Sequence, residues 1–337
     1  MRFLLQRLMF YAIAFWAALT LNFLLPRLAG GSPASGIIQS DPNTYRTCEP
    51  CLRALIAQYG SLNGHESFSH MLNAYPHYLW SMLQGDLGKS TRYAGTPVTD
   101  IIRQTLPYSI LIAGASLAIA FVLGSFLGMV CAWKRGGVLD NVLPSLLAFI
   151  GAFPSFFLAL LAIYFLGLGQ GPFHLKWFPT SLAYDNTVSP EYSWTFIGSV
   201  LRHAELPILV LVLVGTGGWL LGMRNVMINN VAEDYITMAR AKGLRDWRIM
   251  TTYAGRNSIL PNFTGFAIGL GFVVTGTILV EFVFSFPGMG LALQNAATGA
   301  DYPTTQGILL ILTVCVLLAN FIMDSIYVIL DPRTRAA

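Results

Sequence analysis

"LPYSILIAGASLAIAFVLGSFLGMVCAW", residues 106–133, runs from end to end without an Asp, Glu, Lys, Arg or His. A helix needs about 20 mostly apolar residues to cross the hydrocarbon of a bilayer, and this segment supplies them. Five further stretches read the same way: Leu8–Leu25, Val142–Leu168, Leu206–Met223, Ile259–Phe284 and Gly307–Leu330. The pattern predicts an all-α integral membrane protein with six transmembrane helices. Composition agrees. Of 337 residues 55% are hydrophobic and only 11% charged, where a soluble domain carries about a quarter charged residues. Mean hydropathy is +0.60, too much apolar surface for one core in water.

Arg2 and Arg7 precede the first apolar run, as the basic end of a signal peptide would. The run outlasts the roughly 7–15 residues of such a segment, so a retained helix is expected. Lys and Arg in the connections set the orientation. With the N-terminus inside, the inner segments hold Arg2, Arg7, Lys134, Arg135, Arg224, Arg240, Lys242, Arg245, Arg248, Arg256, Arg333 and Arg335, twelve of the twenty basic residues. Both termini are therefore expected in the cytoplasm. The net charge of +4 mostly reflects this asymmetry and gives no reason to invoke nucleic acid.

Three regions follow. Residues 1–28 form the N-terminal segment and first span; 29–105 an extracytoplasmic loop; 106–337 the transmembrane core, with an inner loop at 223–258. The inner loop contains "EDYITMARAKGL", residues 233–244. Glu233 and Asp234 open a helix and Arg240 and Lys242 close it, the order that suits the helix dipole. Gly243 is placed to cap its C-terminus. Asp246 is expected to cap a second helix from Trp247, and Leu260–Pro261 to mark entry into the next span. Tyr235, Ile236, Met238, Ala239, Ala241 and Leu244 are too many apolar residues for a fully solvated loop. A surface helix of this kind suits a groove on another protein.

The sequence resembles a family at this point. "DYITMARAKGL" (234–244) is similar to the cytoplasmic loop of binding-protein-dependent ABC import permeases of the dipeptide, oligopeptide and nickel group. "QGDLGKS" (84–90), "KRGGVLD" (134–140), "EFVFSFPGMG" (281–290), "DYPTTQG" (301–307) and "ILDPRTR" (329–335) resemble that group's landmarks, in its order. Within it the chain looks like the first, B-type, of two paired permeases. The general permease motif begins Glu-Ala-Ala six positions before its Gly; here Thr237, Met238 and Ala239 stand there, as is usual for the peptide group. The polar insert at 43–75 leaves the solute open.

The resemblance implies a type I importer architecture in the bacterial inner membrane. Residues 234–243 would be a coupling helix seated on a cytoplasmic ATPase, with Asp234, Tyr235, Ala239, Arg240, Ala241, Lys242 and Gly243 as its working residues. Ala239 and Ala241 would permit close approach, Arg240 and Lys242 would offer charge-assisted hydrogen bonds, and Gly243 the bend. Gly243→Val or Ala239→Glu would then leave the permease in the membrane but uncouple hydrolysis from uptake. The implied partners are a second homologous C-type permease, two ABC ATPases and an extracytoplasmic solute-binding protein. ATP and Mg would sit on the ATPases, with no cofactor in this chain. Peptides are the expected solute; nickel chelates and oligosaccharides are the alternatives.

Other motifs carry less. "GDLGKS" (85–90) lacks the earlier Gly of a phosphate loop, its position being Leu83, and is expected to form an outer turn. His65 and His70 are five apart, roughly 140° around a helix, and cannot share a metal as an i, i+4 pair does. Cys48 and Cys51, in the outer loop, are expected to form a disulfide, with an external metal site as the alternative. Cys131 and Cys315 are expected to pack within spans. Gly124 with Gly128, Gly218 with Gly222, and Gly265 with Gly269 allow close helix contact. Asp324 and Glu281 are the charges nearest lipid, and structural pairing is expected for both. A stand-alone carrier would need ionisable or unwound sites at midplane, and the middles of the spans have no charge. A membrane enzyme would need a nucleophile elbow, zinc motif or paired carboxylates, and none appears.

Overall fold

The structure, a computed structural model, describes residues 2–28, 68–93, 95–170, 176–191, 193–271 and 277–330. Among these the regular elements are helical, apart from one isolated bridge between Lys89 and Pro97. In chain order they are α1 Arg2–Leu28, α2 Phe68–Leu83, α3 Val98–Trp133 and α4 Val138–Gly151. Next come α5 Ser155–Ala162, continued by a π turn Ile163–Gly167, α6 Trp194–Val231 and α7 Asp234–Ala241. The short α8 Asp246–Arg248 passes through a π stretch Ile249–Gly255 into α9 Arg256–Gly271. The chain finishes with α10 Ile278–Val283, α11 Met289–Thr298 and α12 Tyr302–Leu330.

Among the described residues three helices are long and apolar enough to cross a membrane: α3, α6 and the Tyr302–Ile322 part of α12. The chain is thus a multi-pass membrane protein. In α1 the apolar part is Leu8–Leu24, which is shorter. The expected straight span Val142–Leu168 is instead two helices, α4 and α5 with its π turn, bent by 98°. Pro154 explains the break: it has no N–H to give α4 and disfavours helical backbone at Phe153. Of the expected span Ile259–Phe284 the structure describes α9 and α10, with 272–276 outside the described residues. Pro261 lies inside α9, which begins at Arg256, so the helix is under way before the expected entry at Leu260–Pro261.

Two compact units divide the chain, Met1–Tyr108 with Pro287–Ser325 and Ser109–Phe286 with Ile326–Ala337. In the first, α1 is pinned to α12 by reciprocal bonds: Asn22 Nδ2 donates to Gln306 O at 2.8 Å and Gln306 Nε2 to Asn22 O at 3.1 Å. Phe23 stacks edgewise on Tyr75 of α2, ring centres 5.3 Å apart. Asp301 is fully buried. It caps α12 by accepting from Thr304 N at 3.3 Å and Thr304 Oγ1 at 2.8 Å. Its carboxylate also takes the Ser90 hydroxyl and, at 3.1 Å, the Thr91 N–H. "QGDLGKS" and "DYPTTQG" are therefore one piece of structure. Ser90 Oγ further accepts from Tyr93 N at 2.9 Å, so a turn forms here, as expected, with its serine already committed.

In the second unit, α3 lies hard against α6. A Cβ at Gly124 would fall 2.6 Å from Thr216 O, and one at Gly128 2.5 Å from Leu220 O, so these glycines serve packing within the chain. A Cβ at Gly218 would meet no other group of the described residues within 4 Å, so this glycine takes no part in such packing. Asn262 of α9 joins both helices, donating to Trp219 O at 2.9 Å and Ser125 Oγ at 3.1 Å. Polar groups buried at such depth are bonded within the protein because lipid offers no partner.

Candidate coupling surface

α7 follows α6 after a two-residue turn, Ala232 and Glu233. Asp234 lies in its first turn and Arg240 in its last, each at the end where the dipole favours it. Gly243 has φ of +70°, a left-handed conformation that glycine adopts without strain. Gly243 N donates to Arg240 O at 2.9 Å and Leu244 N to Ala239 O at 3.4 Å. That pair of bonds is the Schellman closure of a helix, and it satisfies carbonyls that would otherwise be left over. The second helix starts at Asp246 itself, after Arg245. Asp246 thus does not cap it, which corrects the sequence expectation.

One face of α7 enters the protein. Ile236 is 0% exposed and Ala239 3%, three positions apart and so on the same side. They sit in a cluster with Ala132 of α3, Met223 and Met227 of α6, and Ile249, Met250 and Ala254 of the π stretch. Leu244 and the half-buried Tyr235 pack against the same cluster. The phenolic oxygen of Tyr235 is buried and has no hydrogen-bond partner among the described residues. Asp234, Thr237, Met238, Arg240, Ala241, Lys242 and Gly243 are exposed.

Of the two alanines expected to meet a partner, only Ala241 is at the surface. Ala239 seats α7 on its own chain. A small residue suits either use, and the inward one wins because Ile236 fixes which side faces the core. Arg240 lies over the ring of Trp133 at 5.2 Å, a cation–π contact that ties this charge to the base of α3.

The sequence reading missed a second feature. Arg224 grips Asp140 with two bonds, Nε to Oδ1 at 2.5 Å and Nη2 to Oδ2 at 3.1 Å. Gly136 N adds a third to Oδ2 at 3.0 Å. Opposite charges at the ends of two predicted spans, expected on one side of the membrane, were the available signal.

Glu281 is buried and accepts from Thr277 Oγ1 at 2.7 Å, the structural pairing expected of it. Cys131 is a free thiol packed with Leu147 and Leu220, and Cys315 is free as well. Cys48, Cys51 and His65 lie outside the described residues, as do the side chains of His70 and Asp324. Among the described residues no group of three His, Cys, Asp or Glu could hold a metal. What this region offers is mechanical: a short helix, rigidly seated, with a polar face turned outward.

Known proteins resemble this chain in sequence. Residues 124–336 match the family described as binding-protein-dependent transport system inner membrane component. AppB of Bacillus subtilis, an oligopeptide transport system permease protein, is 30% identical over 314 residues, 93% of this chain and 92% of its own length. A Brucella suis protein bearing a peptide permease name is 33% identical over 336 residues, 99% of each chain. DdpB of Escherichia coli, named for a D,D-dipeptide transport system, is 31% identical over 272 residues, 76% of this chain and 78% of its own. The family match takes in α6, α7 and α12, and these relatives align over three quarters or more of the chain. The chain therefore belongs to the binding-protein-dependent transport system inner membrane components.

Proposed function

We propose that this chain is the B-type permease of an ABC importer of di- or oligopeptides, forming half of the translocation pathway. It is the non-catalytic membrane subunit. On this reading the chain crosses the membrane six times, with both termini and the 223–258 loop in the cytoplasm and the 29–105 region outside. A second homologous permease completes the pathway, a binding protein delivers the peptide, and two ATPases bearing ATP and Mg supply the work.

The observation that carries this reading is the two-sidedness of α7. Ile236 and Ala239 lock it into its own protein, while Asp234, Met238, Arg240, Ala241 and Lys242 stay outside. A cytoplasmic ATPase gripping the outer face would move α7 with the bases of α3 and α6 together, because all three share one packed cluster. That motion would swing the pathway between its inner and outer openings. The peptide assignment draws on the names of relatives aligned over most of the chain.

The test is reconstitution in vesicles with the second permease, both ATPases and the binding protein. Labelled peptide is expected to accumulate with ATP and not without it. Accumulation by this polypeptide alone, with no nucleotide-hydrolysing partner, would refute the reading. A binding protein that retains a nickel chelate or an oligosaccharide on purification would replace the peptide.

A further inference from the structure

The Asp140–Arg224 pair lies outside α7 but beside its seat. Arg224 follows Met223 and precedes Met227, both members of the cluster that holds Ile236 and Ala239. Asp140 is in the first turn of α4. The pair thus links the platform under α7 to the helix that runs into the 98° bend before α5.

Its chemistry differs from that of its surroundings. Elsewhere α4 meets α3 and α6 through apolar side chains, Leu147 with Cys131 and Leu220 and Leu143 beside them, through Gly217 set close against Leu147 O, and through a weak bond from the Cys131 thiol to Leu139 O at 3.7 Å. Packed apolar groups hold their place by shape but carry no fixed bonding direction. A guanidinium fork on a carboxylate fixes distance and orientation together, which a point charge does not. The Asp140 side chain is 3% exposed and that of Arg224 24%, so each charge depends on the other. Such a pair adds little to stability over well-packed apolar residues. Its distinctive contribution is register.

We infer that Asp140 and Arg224 are a positioning pair, the joint that keeps α4 moving as one body with α7. The inference rests on the importer reading for what the motion does, but the joint itself has a direct measurement. Spin labels at Val138 and Glu233, both exposed, report the distance between the start of α4 and the start of α7 in the full complex. In the otherwise wild-type protein that distance is expected to stay the same and narrow, nucleotide-free and ATP-bound. In Asp140→Asn it broadens, ATP hydrolysis stays within about twofold, and peptide imported per ATP falls about tenfold. Asp140→Glu, which keeps a carboxylate for the fork, recovers part of the loss; Arg224→Lys, which keeps only charge, does not.

A narrow distance and a normal transport-to-ATP ratio in Asp140→Asn would overturn the inference. So would transport and hydrolysis falling in equal proportion, the mark of lost structure alone. Should Asp140→Asn not assemble, Asp140→Asn with Arg224→Gln removes both charges and leaves no buried ion unpaired. It is expected to assemble with the broadened distance, and a narrow one would overturn the joint. If the wild-type complex imported without ATP, the importer reading would fall while the label distances still decided whether the joint exists.

Discussion

The N–H of Leu244 reaches back to the carbonyl of Ala239, 3.4 Å away, so that the end of α7 folds onto the cluster that Ala239 enters. Gly243 makes this return possible at φ of +70°. Apart from its chain neighbours, no atom of the described residues lies within 4 Å of where its Cβ would be, so what a substitution there meets is backbone strain. Left-handed backbone costs a residue with a Cβ roughly 1–2 kcal/mol, least for Asn and most for a β-branched residue. Peptide imported per ATP is expected to fall in the order Gly, Asn, Ala, Val at position 243. Full coupling in Gly243→Val would show that the bend is dispensable.

Ala239 and Ala241 are expected to separate when each is replaced by Glu. At 239 the carboxylate would enter the cluster of Met223, Met227 and Met250. That destabilises the subunit itself by more than about 2 kcal/mol, read as a lower Tm of the purified subunit. The sequence expectation of an intact but uncoupled protein is therefore withdrawn for this position. At 241 the Glu stays in solvent, Tm is unchanged, and capture of the ATPases weakens. Equal Tm values for the two variants would contradict the burial of Ala239.

What could be read ahead of the structure follows from how local each signal is. Apolar runs announce α3, α6 and α12 because a membrane helix carries its solvent requirement in every residue. α7 was legible from Asp234, Arg240 and Gly243, since dipole and cap are set within one helix. The bend at Pro154 was overlooked because hydropathy averaged across it, although proline is itself the signal. Asp140 and Arg224 are 84 positions apart, and no periodicity joins them. "DYPTTQG" stands out in the sequence only as a family landmark, and the burial of Asp301 was not legible because two of its donors come from Ser90 and Thr91, 211 and 210 positions away.

Helix contact between α3 and α6 gives a prediction with an internal control. Gly128→Val puts atoms 2.5 Å from Leu220 O, where backbone cannot yield, and the helices must part. A drop in Tm of the purified subunit is expected. Gly218→Ala, on the same α6 but in open space, loses no contact and gains up to about 1 kcal/mol of helix propensity. Its Tm should be equal or higher. Indifference to Val at 128 would mean that α3 and α6 do not touch there.

Asp301 accepts from Ser90, Thr91 and Thr304, and Asp301→Ala removes every one of those acceptors at once. A buried donor left without a partner costs about 1–3 kcal/mol, and the losses are coupled because the donors share one carboxylate. The turn at 84–97 is expected to open locally while the spans stay folded. Lys89 and Arg92 are exposed in that turn and give trypsin two cleavage sites. Cleavage there is expected to accelerate about tenfold in Asp301→Ala and less in Asp301→Asn, which keeps one acceptor oxygen. Cleavage at the wild-type rate would mean that the turn's internal bonds, such as Tyr93 N to Ser90 Oγ, suffice to hold it without Asp301.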